Sequence, residues 1–240
     1  MAHRTPRSSY ERLSTRLNLF PQGAAPSDLL YKILALLFST AEAELVAALP
    51  IKPFTAELAA RNWKVSVVEA EKILQRLAGR ALLVDIRGKD NTEYVMPPPM
   101  AGFFEFALMR TRGDIDQKLL SELYEQYISV EDDFIRQLFL TGNTQLGRVF
   151  VLEDSVSSEH ALHVLDYERA TQVIETADEI GVGLCYCRHK REHQGKACDA
   201  EMDICMTFNT VAASLIRSEY ARRVDRHECK DLLHKAWEQN

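Results

Sequence analysis

No apolar run in this sequence approaches the roughly 20 residues that a membrane-crossing helix needs. The longest, at residues 34–38, is short and flanked by polar positions. The N-terminal stretch 1–9 is basic, but it lacks the apolar segment of a secretory signal. Cations are not in excess either: 29 Lys and Arg stand against 35 Asp and Glu, a formal net charge of -6. That excludes broad electrostatic attraction to nucleic acid or an anionic membrane, and leaves a local basic patch open. There is no internal repeat and no low-complexity tract. Gly181-Val-Gly183 lacks the following glycine and lysine of a phosphate loop, and nothing else points to hydrolytic or nucleotide chemistry. A cytoplasmic protein with no membrane partner is expected.

What is present is the profile of an ordinary globular chain. It has 240 residues, 46% hydrophobic and 27% charged, enough for one large domain or two small ones with a real core. Residues 1–27 read as an N-terminal arm with one short helix at 8–19. Pro21-Gln22-Gly23 and Pro26-Ser27-Asp28 mark turns, with Ser27 or Asp28 as an N-cap. From Leu29 the period is helical: Leu29, Leu30, Ile33, Leu36 and Leu37 recur near every 3.6 residues. Further helices are expected at 41–48, at 55–61 and, capped by Ser66, at 67–79, the last with Val67, Val68, Ile73, Leu74 and Leu77 as its apolar face. The period then changes to two, giving strands at 82–87 and 92–96 around a turn at 88–91. Three helices followed by a β-hairpin is the winged helix-turn-helix order, assigned here to residues 28–98.

Pro97-Pro98-Pro99 cannot continue a helix or a central strand, so a domain boundary is placed there. Beyond it, residues 99–240 are expected to form a helical and mixed α/β domain. Its helices are set at 101–110, 114–129, 131–140, 168–180, 209–221 and 225–238, with strands at 148–152 and 161–165. The fold class is thus α+β and mostly helical: a winged helix-turn-helix followed by an α/β cysteine-rich domain. Glu153, Asp154, Glu159, His160 and His163 read as a polar loop.

Five cysteines are present, and four of them fall within 21 positions: Cys185, Cys187, Cys198 and Cys205. In a reducing compartment, clustered thiols mean metal or redox chemistry more often than disulfides. Four thiolates complete the ligand set of a [4Fe–4S] or [2Fe–2S] cluster, and equally of structural zinc. If residues 181–187 are extended, Cys185 and Cys187 share a face with Cα atoms roughly 6–7 Å apart. Two sulfurs on one zinc sit about 3.8 Å apart, so that spacing favours a cluster. A redox dithiol at Cys185 and Cys187, or four reduced buried thiols, are the competing readings. The stretch after Cys187 carries Arg188, His189, Lys190, Arg191, His193 and Lys196. Positive charge beside thiols favours thiolate and offsets a thiolate-ligated cluster, so Arg188, His189, Lys190, His193 and Lys196 are candidate supporting residues around the metal. A plain solvated basic loop is the alternative. Cys229 reads as structural, and His227 and His234 as solvent-facing.

The stretch Glu168-Arg-Ala-Thr, then Ile-Gly-Val-Gly-Leu-Cys185-Tyr-Cys187-Arg-His, then Gly195-Lys-Ala-Cys198-Asp and Ile-Cys205-Met-Thr-Phe208, resembles the N-terminal part of the 4Fe-4S dicluster ferredoxin-like proteins. Those carry Cys-x-Cys-Arg, Gly-Lys-x-Cys-Asp and Cys-x-x-Phe. Phe38-Ser-Thr-Ala-Glu-Ala-Glu-Leu45 with Leu49-Pro50, and Pro97-Pro-Pro-Met-Ala-Gly-Phe-Phe-Glu-Phe106, resemble that family's winged-helix region, so the likeness covers most of the chain. It implies an iron–sulfur electron carrier of anaerobic metabolism, working with a redox partner protein, rather than an enzyme. The chain departs from the family in lacking the Cys-x₂-Cys-x₂-Cys-x₃-Cys-Pro motif of ferredoxin clusters. It therefore reads as a truncated piece or a shorter relative, with only the four clustered cysteines to hold a cluster.

Two other functions remain open. One is a winged-helix transcriptional regulator that senses redox or metal through the cysteines. The helix at 66–80 mixes Lys72, Arg76 and Arg80 with Glu69 and Glu71, which is not a clustered phosphate-neutralising face, so DNA is not the favoured partner. The other is a structural zinc protein. A homodimer is compatible with each.

Overall fold

The computed structural model describes residues 6–131, 133–140 and 169–239. The strands expected at 148–152 and 161–165, and the polar cluster around His160, lie outside the described residues. The described chain is α+β and mostly helical, with two three-stranded antiparallel sheets among the described residues.

The N-terminal part runs α1 (Pro6–Leu17), α2 (Asp28–Leu37), α3 (Thr40–Ala47), β1 (Phe54–Thr55), α4 (Ala56–Trp63), α5 (Val67–Gly79), β2 (Val84–Arg87) and β3 (Thr92–Val95). Its helix starts follow the capping chemistry of the sequence. Ser27 Oγ accepts from Leu30 N–H, Ser66 Oγ from Glu69 N–H, and Ser39 forms a full capping box with Glu42. Glu42 is also bonded by Arg80 at 3.0 Å, which ties the start of α3 to the end of α5. Gly88 N–H bonds Asn91 O and closes the hairpin. The two-residue strand β1, too short to show a period, pairs with β3, so the sheet order is β1-β3-β2. Val67 and Val68 are exposed, contrary to the expected apolar face of α5. The buried stripe is Ala70, Leu74, Leu77 and Ala78, because the capped first turn projects beyond the core.

The arm docks rather than trails. Leu13 and Leu17 are fully buried, and the Arg16 guanidinium donates to Leu49 O and Pro50 O. Burial pushes Arg16 down to about 10, and the two carbonyls hold a cation taken out of water.

After the prolines the chain makes a wide turn at Pro99–Phe103, then α6 (Phe104–Phe106), α7 (Gln117–Tyr124) with a π-helical continuation at Glu125–Val130, and α8 (Asp133–Leu140). The helix expected at 101–110 is therefore reduced to α6, since Ala101 sits at φ +55° and breaks the run. The one expected at 114–129 starts at Gln117 under an Asp116 cap. The largest core spans the proline run: Leu34 and Phe38 pack with Phe103, Phe104, Tyr124 and Phe134. Phe104 lies 4.9 Å from both the Phe103 and Tyr124 rings. Truncating it to alanine costs about 4 kcal/mol by the usual price of a large core cavity.

The C-terminal part is α9 (Ala170–Thr176), β4 (Ile180–Leu184), α10 (Tyr186–His193), β5 (Asp203–Phe208), α11 (Asn209–Arg217), β6 (Arg222–Arg223) and α12 (Arg226–Glu238). The sheet order is β5-β4-β6, with Gly183 opposite Cys205. The helix expected at 168–180 ends at Thr176, and β4 begins at Ile180.

Asp85 on β2 ties the hairpin to this part. It accepts from Ser214 Oγ at 2.6 Å and Arg217 Nε at 2.9 Å, both on α11. Burial alone raises the Asp85 carboxyl, but the Arg217 and Ser214 bonds outweigh it, and the net direction is down. A carboxyl lowered on folding stabilises above its ordinary pKa, and that stability is lost as pH falls through the folded value. Asp85→Asn should cost about 2–3 kcal/mol at neutral pH, as it leaves Arg217 short of its anion. In urea unfolding, the gap to wild type should shrink below the ordinary aspartate value of 3.8. A gap unchanged by acid would show that Asp85 acts by shape and not charge.

Candidate metal centre

Cys185 closes β4 and is the N-cap of α10, with Cys187 in the first turn. The expectation of extended chain through Cys187 is corrected: the strand stops at Leu184. The turn is anchored by Cys185 N–H to Met202 O at 2.6 Å, and the helix opens with His189 N–H to Cys185 O at 2.9 Å. The strand-geometry reason for preferring a cluster to zinc therefore does not apply. The segment read as a basic loop is helical through His193. Cys205 lies on β5, across from Gly183. Cys198 is exposed in the connection between α10 and β5.

Three of the four thiols converge. Cys185 and Cys187 share a hydrogen bond between their side chains, and Cys205 lies near enough to sense the charge of Cys185. The shared proton, with backbone N–H and the Arg188 charge behind it, lowers Cys185 to about 6 against opposing burial, so it is a thiolate at neutral pH. Cys187 is raised because it donates that proton. Burial pushes the Cys205 thiol up to about 11. Cys198 is lowered by the Ala200 N–H and by a bond from the Arg188 side chain. Arg188 thus links the fourth cysteine to the pair, and its guanidinium also donates to Glu201 O.

The other expected supporting residues divide. His189 is buried, with Nδ1 at 2.7 Å from Leu108 O. Lys190 is buried and paired with Glu125 at 2.9 Å, a bond that pins α10 to the end of α7 and faces away from solvent. His193 stacks on His189 with ring centres 4.7 Å apart. Lys196 is exposed beyond the helix end. Two residues were missed from sequence. Tyr186 hydrogen-bonds the Cys187 side chain, and the buried Glu105 lies within electrostatic range of Cys205 and Tyr186. Burial raises the Glu105 carboxyl against the Gly102 N–H bond that it accepts. The i, i+4 recurrence of Cys185, His189 and His193 was the available signal for a helix here. Nothing in the sequence pairs Glu105 with a cysteine 100 positions away.

The donor set fits a thiophilic metal group: four sulfurs, two of them favoured as thiolates, beside a guanidinium and the positive end of a helix. Among the described residues, no three His, Cys, Asp or Glu side chains stand ready-arranged around a single ion. Cys229, by contrast, is buried against Met206 sulfur at 3.7 Å, and His227 and His234 are exposed beside Asp231 and Glu238. No helix among the described residues is long and apolar enough to cross a membrane. Searches against protein-family models, curated proteins and solved structures find no match to this chain.

Proposed function

We propose that Cys185, Cys187, Cys198 and Cys205 hold an iron–sulfur cluster, [4Fe–4S] rather than [2Fe–2S], and that the chain is a cytoplasmic ferredoxin-like electron-transfer module serving a redox partner protein. The observation that carries this is the convergence of Cys185, Cys187 and Cys205 at the start of α10. The cluster, when bound, supplies one-electron transfer. The chain's own groups set its surroundings. The α10 backbone N–H groups and Arg188 offset thiolate charge, Tyr186 bonds the Cys187 sulfur, and the core beneath Cys205 limits water. Protein purified without oxygen should contain iron and acid-labile sulfide together, with a broad visible thiolate-to-iron absorption. One zinc per chain without sulfide would replace this reading by the structural zinc protein, and neither metal would leave a thiol-redox pair.

A second reading, the winged-helix regulator, draws on the Asp85–Arg217 bond. That bond couples the hairpin to α11, which directly follows the Cys205 strand. The helix that would read DNA is poorly equipped: Arg76 and Arg80 both pair with Glu42, and its first turn exposes Val67 and Val68. Salt-sensitive DNA binding that appears only with the metal bound would favour the regulator. On the electron-transfer reading, a mobility-shift assay on mixed duplexes shows none.

A further inference from the structure

We infer that His189 and His193 form a second, separate metal site, a two-imidazole clamp for a borderline divalent transition ion such as Ni²⁺ or Zn²⁺. It does not depend on what the cysteines hold. The two residues stand one helical turn apart on α10, and their Nε2 atoms lie 3.1 Å from each other. Two imidazole nitrogens bound to one zinc at 2.0–2.1 Å in tetrahedral geometry lie about 3.3 Å apart, so a small ring movement admits the ion. At 3.1 Å the two ring nitrogens are within hydrogen-bond distance and close to that ligand spacing.

The tautomer is fixed by an independent contact. Leu108 O can only accept, so the His189 Nδ1 at 2.7 Å from it carries the proton. The Nε2 lone pair of His189 is thereby left free and aimed at His193. A ring N–H held by a backbone carbonyl is the usual device that orients a metal-bound histidine. His189 is 3% exposed, so its ring is locked by packing, while His193 is half-buried and gives the ion a route in. Without metal, His193 Nε2–H donates to His189. On binding, that proton shifts to His193 Nδ1 and both Nε2 atoms face the ion, with no net proton released. No third side chain completes the set among the described residues, so water or a small external donor takes the other positions. Burial, together with His189 and Lys118, lowers His193, and Glu192 and Asp116 only partly oppose it, so the ring is held toward the neutral form.

The test is Ni²⁺ titration of the full chain by calorimetry, in wild type, in His193→Ala, and in a Cys187→Ser/Cys198→Ser double variant. One Ni²⁺ per chain should bind wild type and the cysteine variant alike. His193→Ala should weaken it at least tenfold, and the nickel spectrum should lack thiolate charge transfer. Unchanged affinity in His193→Ala, or loss in the cysteine variant, overturns the site, and the second result would move the nickel to the sulfurs. His193→Gln serves as the fold control: it should keep the wild-type Tm and still lose the nickel. Binding retained in His193→Gln with an unchanged Tm overturns the proposal as well. Failure of the cluster shows in iron and sulfide analysis, so the two readings fall separately.

Discussion

Cys205→Ser should empty the proposed cluster site, lowering iron and sulfide below a tenth of the wild-type content, while Cys229→Ser leaves both unchanged. The contrast follows from where each sulfur sits. Cys205 is on β5, its backbone fixed opposite Gly183 and its sulfur within range of the Cys185 charge. Cys229 is buried on α12 against Met206, in a separate core with Ile174, Ile180 and Val182. A serine hydroxyl at 205 is a far weaker ligand for iron than a thiolate. Burial holds the Cys205 thiol up at about 11, so it is protonated until metal displaces the proton. Cys185, lowered to about 6, is ionised at neutral pH. Loading should therefore release protons and weaken as pH falls, since acid competes for the sulfurs. Iron and sulfide assays on reconstituted proteins check the first statement, and reconstitution across a pH series the second. Full iron content in Cys205→Ser would remove Cys205 from the ligand set and leave the convergence at α10 without its functional meaning.

Much of the helical framework was readable because it is local. Ser27 and Ser66 both mark real helix starts, and the change of period after Gly79 marks the hairpin. What failed was decided at a distance. Leu74 and Leu77 of the expected stripe are buried, but Val67 and Val68, which fit the same period, are exposed, and Ala70 and Ala78 complete the packed face instead. Gly181 to Cys187 reads as extended, but Cys185 N–H finds Met202 O, a partner supplied by the chain 17 positions on, and the helix starts there. β5 was passed over although Ile204, Met206 and Phe208 alternate with Asp203, Cys205 and Thr207. It exists through the ladder with β4. The four cysteines were recognisable as a group from spacing alone. Glu105 was not, since it sits on α6, which the wide turn at Pro99–Phe103 brings within electrostatic range of Cys205; Tyr186 lies between two of the cysteines in sequence, at the start of α10.

Gly183→Ala tests whether that delivery is as tight as the structure implies. A Cβ at this position would fall well inside contact distance of Tyr220 O and 3.1 Å from Met109 Cε. The methionine end can swing aside, but a backbone carbonyl cannot do so without moving its peptide. Tyr220 is held by the Arg110 guanidinium 4.9 Å from its ring and by burial in the core that includes Phe106 and Leu215. The strain should cost about 3 kcal/mol, the upper part of the usual range for overpacking. Gly181→Ala on the same strand meets side-chain atoms alone, Ala221 Cβ and Thr207 Oγ1 at 3.1 Å and Ala212 Cβ at 3.5 Å, so it should cost about 1 kcal/mol. The difference reaches the site because β4 ends at Leu184, directly before Cys185, and carries the ladder to Cys205. Pushing β4 off Tyr220 separates those two sulfurs, so Gly183→Ala should also lose most of its iron, while Gly181→Ala keeps it. Urea unfolding and iron content on the same preparations decide the matter. Equal stability in the two variants would mean that β4 and the Tyr220 turn are not packed at this distance. A destabilised Gly183→Ala that still holds full iron would mean that the ligand set does not depend on the β4–β5 ladder.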